Sequence, residues 1–185
     1  MSDFNLTLKN KSFRQLDVKD VAPNLLIREY YAEKGDTHEF VLSRDMTQDD
    51  MAHIVAYTEG SVEVSRSDSP EVIRRVETAG NTSNEYVWET ALRGKTIHRV
   101  ITDTYRYYCI TDQLFRKMQS KTIRFDELQS QQVSSGVLVF VAMGAVTVNG
   151  TQLNAPALFI SPTSEDATTL HGEPGTLVLE IEKLD

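Results

Sequence analysis

The chain has 185 residues, enough to bury a substantial core as one domain or as two small, tightly packed ones. Its 27 acidic side chains outnumber 19 basic ones, a formal net charge of −8 without any Lys/Arg cluster, which argues against a general binder of nucleic acid or of anionic membrane surfaces. A single cysteine, Cys109, excludes an intrachain disulfide, a zinc ribbon and a CxxC redox site, and points to a reducing compartment.

In chain order, "MSDFNLTLKNKSF" carries no apolar h-region, and no later stretch approaches the roughly 20 apolar residues that span a bilayer. A cytoplasmic protein that engages neither nucleic acid nor membrane is the expectation, with residues 1–21 as an N-terminal arm. From there to residue 112 the segments "NLLIREYY", "EVIRRVET", "NEYVWETAL", "TIHRVIT" and "TYRYYCIT" alternate with a period near two and are rich in Val, Ile, Tyr and Thr, as half-buried strands require. The clusters "EKGD", "SRSDSP", "AGNTSN", "RGK" and "TDT" supply the turns between them.

Two stretches break this rhythm and are read as short helices. "SRDMTQDDMAH" offers Thr and Asp caps, and "TDQLFRKMQS" sets Leu114, Phe115 and Met118 at i, i+1 and i+4. The second is the stronger candidate and gives a connecting helix over 113–121. Strands resume in "KTIRFDEL", "VLVFVAMGAVTVNG", "TQLNAPALFISP" and "TLVLEIEKL", with "VNGT" and "EPGT" as reversals. The strand "VLVFVAM", 137–143, is apolar at every position and must be buried on both faces, one in its own barrel and the other against a second barrel or a second subunit.

One phrase is written twice. "HIVAYTEGSVEV", 53–64, and "VLVFVAMGAVTV", 137–148, keep Gly60 and Gly144 in register, with Val55/Val139, Val62/Val146 and Val64/Val148 alongside. Many short strands in an all-β chain mean a sandwich or barrel.

The tail "GVLVFVAMGAVTVNGTQLNAPALFISPTSEDATTLHGEPGTLVLEIE" resembles the cupin superfamily of small jelly-roll barrels: an apolar strand reaching a glycine, a short alternating strand, a tight turn, a second hairpin and a closing strand. "HIVAYTEG", "SVEVSRS", "VIRRVETAGNTSNEYVWE", "RGKTIH" and "TYRYYCI" fit the same scheme. The resemblance implies a bicupin, two tandem cupin-like jelly-roll barrels packed together, at 22–112 and 122–185, and a homodimer formed through sheet faces.

Metal-binding cupins carry two histidines one residue apart, a glutamate, six residues to the glycine, and a later histidine. Set against that pattern, His53 stands at the glutamate position and "MTQDD", 46–50, holds no histidine pair, while His98 matches the later histidine. In the second copy Val137 stands at the glutamate position. His38 follows the turn in "GDTHEF" at a spacing that does not fit, and His171 beside "GEPG" reads as a rim residue. There is no GxSxG elbow and no phosphate-cradling glycine loop.

The leading expectation is therefore a non-enzymatic protein that binds a small organic ligand or serves in assembly. Its pocket, without metal or cofactor, is lined by His53, Tyr57, Trp88, His98 and Tyr108. Two alternatives stand beside it. One is a metal-dependent oxygenase or isomerase using His53, His98 and Asp49 or Asp50; the other is a scaffold that contacts a partner protein through loops 65–71 and 80–85.

Overall fold

The computed structural model describes residues 6–9, 13–42, 47–66, 69–78, 94–163 and 167–184. They fall into two compact units, one of Met1–Asp17 and Asn24–Phe115, the other of Val18–Pro23 and Arg116–Asp185. Both are built of antiparallel strands. Among the described residues no helix is long and apolar enough to cross a membrane.

Among the described residues unit 2 holds eight strands: β9 (Lys117–Phe125), β10 (Gln129–Val133), β11 (Leu138–Met143), β12 (Ala145–Val148), β13 (Thr151–Asn154), β14 (Ala157–Ile160), β15 (Thr168–Gly172) and β16 (Thr176–Leu184). They form two four-stranded sheets, ordered β10-β15-β12-β13 and β14-β11-β16-β9. Counted from the first strand of the unit, these orders are 2-7-4-5 and 6-3-8-1, the pairing of a jelly roll. Ile123, Phe125, Val139, Val146, Leu170 and Val178 meet in one hydrocarbon core. On β11 the intervening residues Leu138, Phe140 and Ala142 are buried too, as a strand with no polar face requires.

Gly172 shows how tightly this core is closed. Its backbone lies under the fully buried Phe125 ring, where a β-carbon would collide with the ring atoms. Gly172→Ala is expected to destabilise unit 2 by about 1–3 kcal/mol through overpacking, read as a lowered urea midpoint, and Phe125→Leu in the same chain should recover part of the loss.

In unit 1 the strands are β1 (Leu6–Lys9), β2 (Phe13–Leu16), β3 (Leu25–Glu33), β4 (Thr37–Leu42), β5 (Ile54–Arg66), β6 (Ser69–Thr78), β7 (Gly94–Val100) and β8 (Thr104–Asp112), with a one-turn helix α1 (Gln48–Met51) before β5. β5 belongs to two sheets: Ile54–Glu59 pairs with β8, and the stretch after Gly60 pairs with β6 and β7. One sheet reads β1-β4-β7-β5-β6 and the other β5-β8-β3-β2. Taken as β3, β4, the two halves of β5, β6, β7 and β8, this is the pairing order of β9–β13, β15 and β16 in unit 2. Residues 79–93, between β6 and β7, lie outside the described residues.

The repeated phrase has a physical cause in this arrangement. Gly60 (φ 94°) and Gly144 (φ 71°) are the corners where a strand leaves one sheet for the other, and both hold a left-handed backbone that disfavours a β-carbon. Each lies against the threonine that opens the closing strand: a β-carbon on Gly60 would sit 2.5 Å from the Thr104 carbonyl oxygen, and one on Gly144 would sit 2.9 Å from Thr176 Cα. The next residue is held alike in both units. Ser61 N–H donates to Thr102 Oγ1 at 2.9 Å, and Ala145 N–H donates to Thr176 Oγ1 at 3.1 Å.

One sequence expectation is corrected by the chain path between the units' strands. The helix over 113–121 does not form: β8 runs to Asp112 and β9 begins at Lys117. Asp112 Oδ1 accepts the Leu114 N–H at 2.8 Å, Phe115 takes a positive φ of 55°, and Leu114 and Phe115 stay 59% and 61% exposed, so there is no apolar stripe to bury. The other stretch read as a short helix, "SRDMTQDDMAH", carries α1, where Thr47 and Asp50 cap each other: Asp50 N–H donates to Thr47 Oγ1 at 3.1 Å and Thr47 N–H to Asp50 Oδ2 at 2.8 Å. Within the stretch expected as an N-terminal arm, 1–21, β1 pairs with β4 and β2 with β3.

Candidate ligand site

Register fixes which residues of unit 1 share a face. In the β5-β8-β3-β2 sheet, Tyr30 is opposite Tyr107 and Ala32 opposite Tyr105, while Thr58 is opposite Tyr107 and Ala56 opposite Cys109. In the other sheet His38 is opposite His98, and His98 opposite Val64. Ring contacts join the two sets: His38 lies 4.5 Å from Tyr30 and 5.8 Å from Tyr105, centroid to centroid, and 5.0 Å from His98. These faces therefore line the barrel interior. On the outward face Arg99 pairs with Glu63 at 3.2 Å.

Both interior histidines are buried, His98 at 0% and His38 at 1% exposure. Burial pushes the His38 imidazole down to about 3 and His98 well below the ordinary histidine value, with His38 itself further opposing charge on His98. Both are neutral at physiological pH. Thr96 Oγ1 hydrogen-bonds His98 Nε2 at 3.1 Å and orients that ring. Tyr107 and Cys109, two residues apart on the same face, are both pushed upward by burial and remain protonated.

The residues singled out from sequence separate into several places. His98 is in the interior cluster. Tyr57 and Tyr108 are cross-strand partners with stacked rings 6.4 Å apart, but parity puts them on the opposite face of their sheet from Tyr105 and Tyr107. There Tyr108 Oη donates to Glu29 Oε1 at 3.0 Å, and Glu29 also pairs with Arg14 and, at 3.8 Å, with Arg106. His53 ends the turn before β5, 3.8 Å from Asp49, eleven positions before the residue opposite His98. Trp88 lies outside the described residues, as does loop 80–85.

The set His53, His98 and an aspartate is thus not assembled, since Asp49 reaches His53 and Asp50 is engaged with Thr47. His171 is exposed, its Nδ1 2.7 Å from Ser130 Oγ. Sequence spacing gave no weight to His38, Tyr30 or Tyr105. Period-two counting along "LLIREYY" does place Tyr30 with Arg28, but the pairing of His38 with His98 is a long-range register that no local pattern carries.

On the Tyr108 face, Tyr108→Phe is expected to cost about 1.5–3 kcal/mol, because the phenol donates to a buried carboxylate. Urea unfolding monitored by tyrosine fluorescence measures it, and an unchanged midpoint would remove that hydrogen bond from the account.

No family model matches the chain, and no curated protein matches it by sequence. Among solved structures it is similar to a bacterial pirin, YhhW, from Escherichia coli in complex with nickel(II), at 16% identity and TM-score 0.49, covering 98% of this chain and 95% of that one. It is similar also to HutD from Pseudomonas fluorescens, at 13% identity and TM-score 0.45 over 98% and 100% of the chains. A cupin 2 conserved barrel domain protein from Leptotrichia buccalis follows at 11% identity and TM-score 0.42, over 96% and 89%. The strand order and the glycine corners decide the matter. The fold is cupin-like.

A metal held between the sheets, as in metal-binding cupins, would need at least three converging ligands. His38 and His98 are neutral imidazoles, the ligand form, on adjacent strands. Their neighbours in the cluster, however, are Tyr30, Tyr105 and Thr96, and among the described residues no three His, Cys, Asp or Glu side chains come together. The described residues do not make a three-ligand metal site.

Proposed function

We propose that the chain is a binding protein of two cupin-like barrels, in which the interior of unit 1 receives a small organic molecule and unit 2 is a structural barrel. The observation that carries this reading is the contrast between two interiors of one strand order. Unit 2 is filled with Val, Ile, Leu and Phe. Unit 1 buries Tyr30, His38, Thr58, His98, Tyr105, Tyr107 and Cys109. Polar groups in a core cost stability unless they are paired, and they add little that a hydrocarbon core would not supply. Hydroxyls and neutral imidazoles that both donate and accept hydrogen bonds are suited to orienting a small polar ligand. Neither a nucleophile activated by a base nor a complete ligand set is among them, so binding rather than a covalent step is the function proposed.

A thermal-shift screen of the full chain tests this, with small organic acids, amines, phenols and sugars beside Ni²⁺, Zn²⁺, Mn²⁺ and Fe²⁺. At least one organic class is expected to raise the unfolding temperature saturably, with the effect lost in Tyr107→Ala while the variant keeps its far-UV spectrum. Stoichiometric metal that survives dialysis and disappears in His38→Ala and His98→Ala would overturn the reading. So would a screen in which no organic compound stabilises the chain.

A further inference from the structure

The chemistry of that ligand can be narrowed from a row of residues above the aromatic cluster. Along the interior face of the β5-β8-β3-β2 sheet, Arg28 is opposite Cys109, and Cys109 is opposite Ala56. Parity puts Arg28 on the face of Tyr30. Its positive charge is felt by both Tyr107 and Cys109. Among the described residues Arg28 has no ion pair and no side-chain hydrogen bond. The two side chains beside it in the row, Ala56 and Cys109, are small, whereas the rows below carry the rings of Tyr30, Tyr107 and Tyr105.

Burial also changes along the sheet. Tyr30, Tyr105, Tyr107 and Thr58 are buried; Arg28 is half-buried; and the next row, Leu26, Thr111 and Ile54, is half-buried throughout. Burial is thus complete at the level of the rings and declines past Arg28. A guanidinium at that level, one row from flat side chains and beside small ones, matches a planar acid whose charged end lies at Arg28. The fork of N–H donors accepts a carboxylate in bidentate fashion, and the ring of the acid can lie against Tyr30 and Tyr107.

We propose that the ligand of unit 1 is a small aromatic carboxylate, anchored by its carboxylate on Arg28 with its ring directed to the Tyr30–Tyr107 level of the barrel. This rests on the binding reading above and specifies it. The test is calorimetric titration of the full chain with benzoate and 4-hydroxybenzoate against the neutral benzamide, in the parent chain and in Arg28→Gln and Arg28→Lys. Loss of a charge-assisted pair predicts that benzamide binds the parent about 10- to 100-fold more weakly than benzoate, and that Arg28→Gln brings benzoate down to about the affinity of benzamide. Arg28→Lys should keep part of the preference, which separates loss of charge from loss of folding. Equal binding of acid and amide by the parent chain, or a preference that survives Arg28→Gln, would overturn the anchor and leave the binding site standing. Binding of neither the acids nor the amide would count against both.

Discussion

Acidification between pH 6.5 and pH 5 is expected to destabilise unit 1 by on the order of 1.4 kcal/mol per pH unit for each interior histidine. Above the ordinary histidine value of 6.5 both the folded and unfolded chains hold His38 and His98 neutral, and neither residue contributes to the pH dependence. Below it the unfolded chain takes up protons that the folded barrel excludes, since burial holds His38 down to about 3 and His98 well below 6.5. The unfolded state therefore binds more protons, and stability falls as pH falls until the folded-state value is reached. Carboxylates remain ionised across most of this interval, so the slope reports histidine. Urea midpoints at pH 7, 6, 5.5 and 5 measure it. His38→Gln should remove about half the slope, and a slope unaffected by His38→Gln and His98→Gln together would place these imidazoles outside the barrel interior.

The second large effect is at the two corners. Gly60→Ala and Gly144→Ala each force an L side chain into a left-handed backbone, at about 1–3 kcal/mol of strain, and add a collision with Thr104 or Thr176 that the closing strand cannot relieve without moving. Losses approaching the whole stability of a small unit are expected, seen as a lowered thermal midpoint or as failure to accumulate folded protein. Because the two glycines occupy matching places in their units, the two losses should be similar in size. A neutral Gly60→Ala beside a severe Gly144→Ala would break the structural equivalence of the repeated phrase.

Much of the strand content was legible in the sequence, and the reason is local. Alternation in "TYRYYCIT" and the unbroken apolar run at 137–143 are properties of contiguous residues, and the structure buries β8 and β11 accordingly. The Asn149-Gly150 turn, with φ of 49° and 79°, follows from two residues alone. The helix expected over 113–121 shows the limit: Leu114, Phe115 and Met118 have helical spacing, but one carboxylate, Asp112, captures the Leu114 N–H and the chain turns instead.

The candidate site was less legible because it is assembled by register. Tyr57 and Tyr108 are adjacent in space as cross-strand partners, yet a one-residue difference in parity along "TYRYY" assigns Tyr105 and Tyr107 to the interior and Tyr108 to the other face. His98 was found by analogy to a later histidine of the cupin pattern. Its neighbour His38 comes from a strand sixty residues earlier, and only the β4–β7 pairing brings the two together. Arg28 carries no motif at all; it is distinguished by the face it occupies.

In the function proposed, one barrel receives a ligand and the other is filled. The most direct measurement is NMR of the full chain with labelled histidine, tyrosine and phenylalanine rings, titrated with benzoate. Saturable shifts are predicted at His38, His98, Tyr30 and Tyr107, with Phe125 and Phe140 unmoved. Absence of saturable shifts in the unit 1 rings, or shifts concentrated at Phe125 and Phe140, would contradict it.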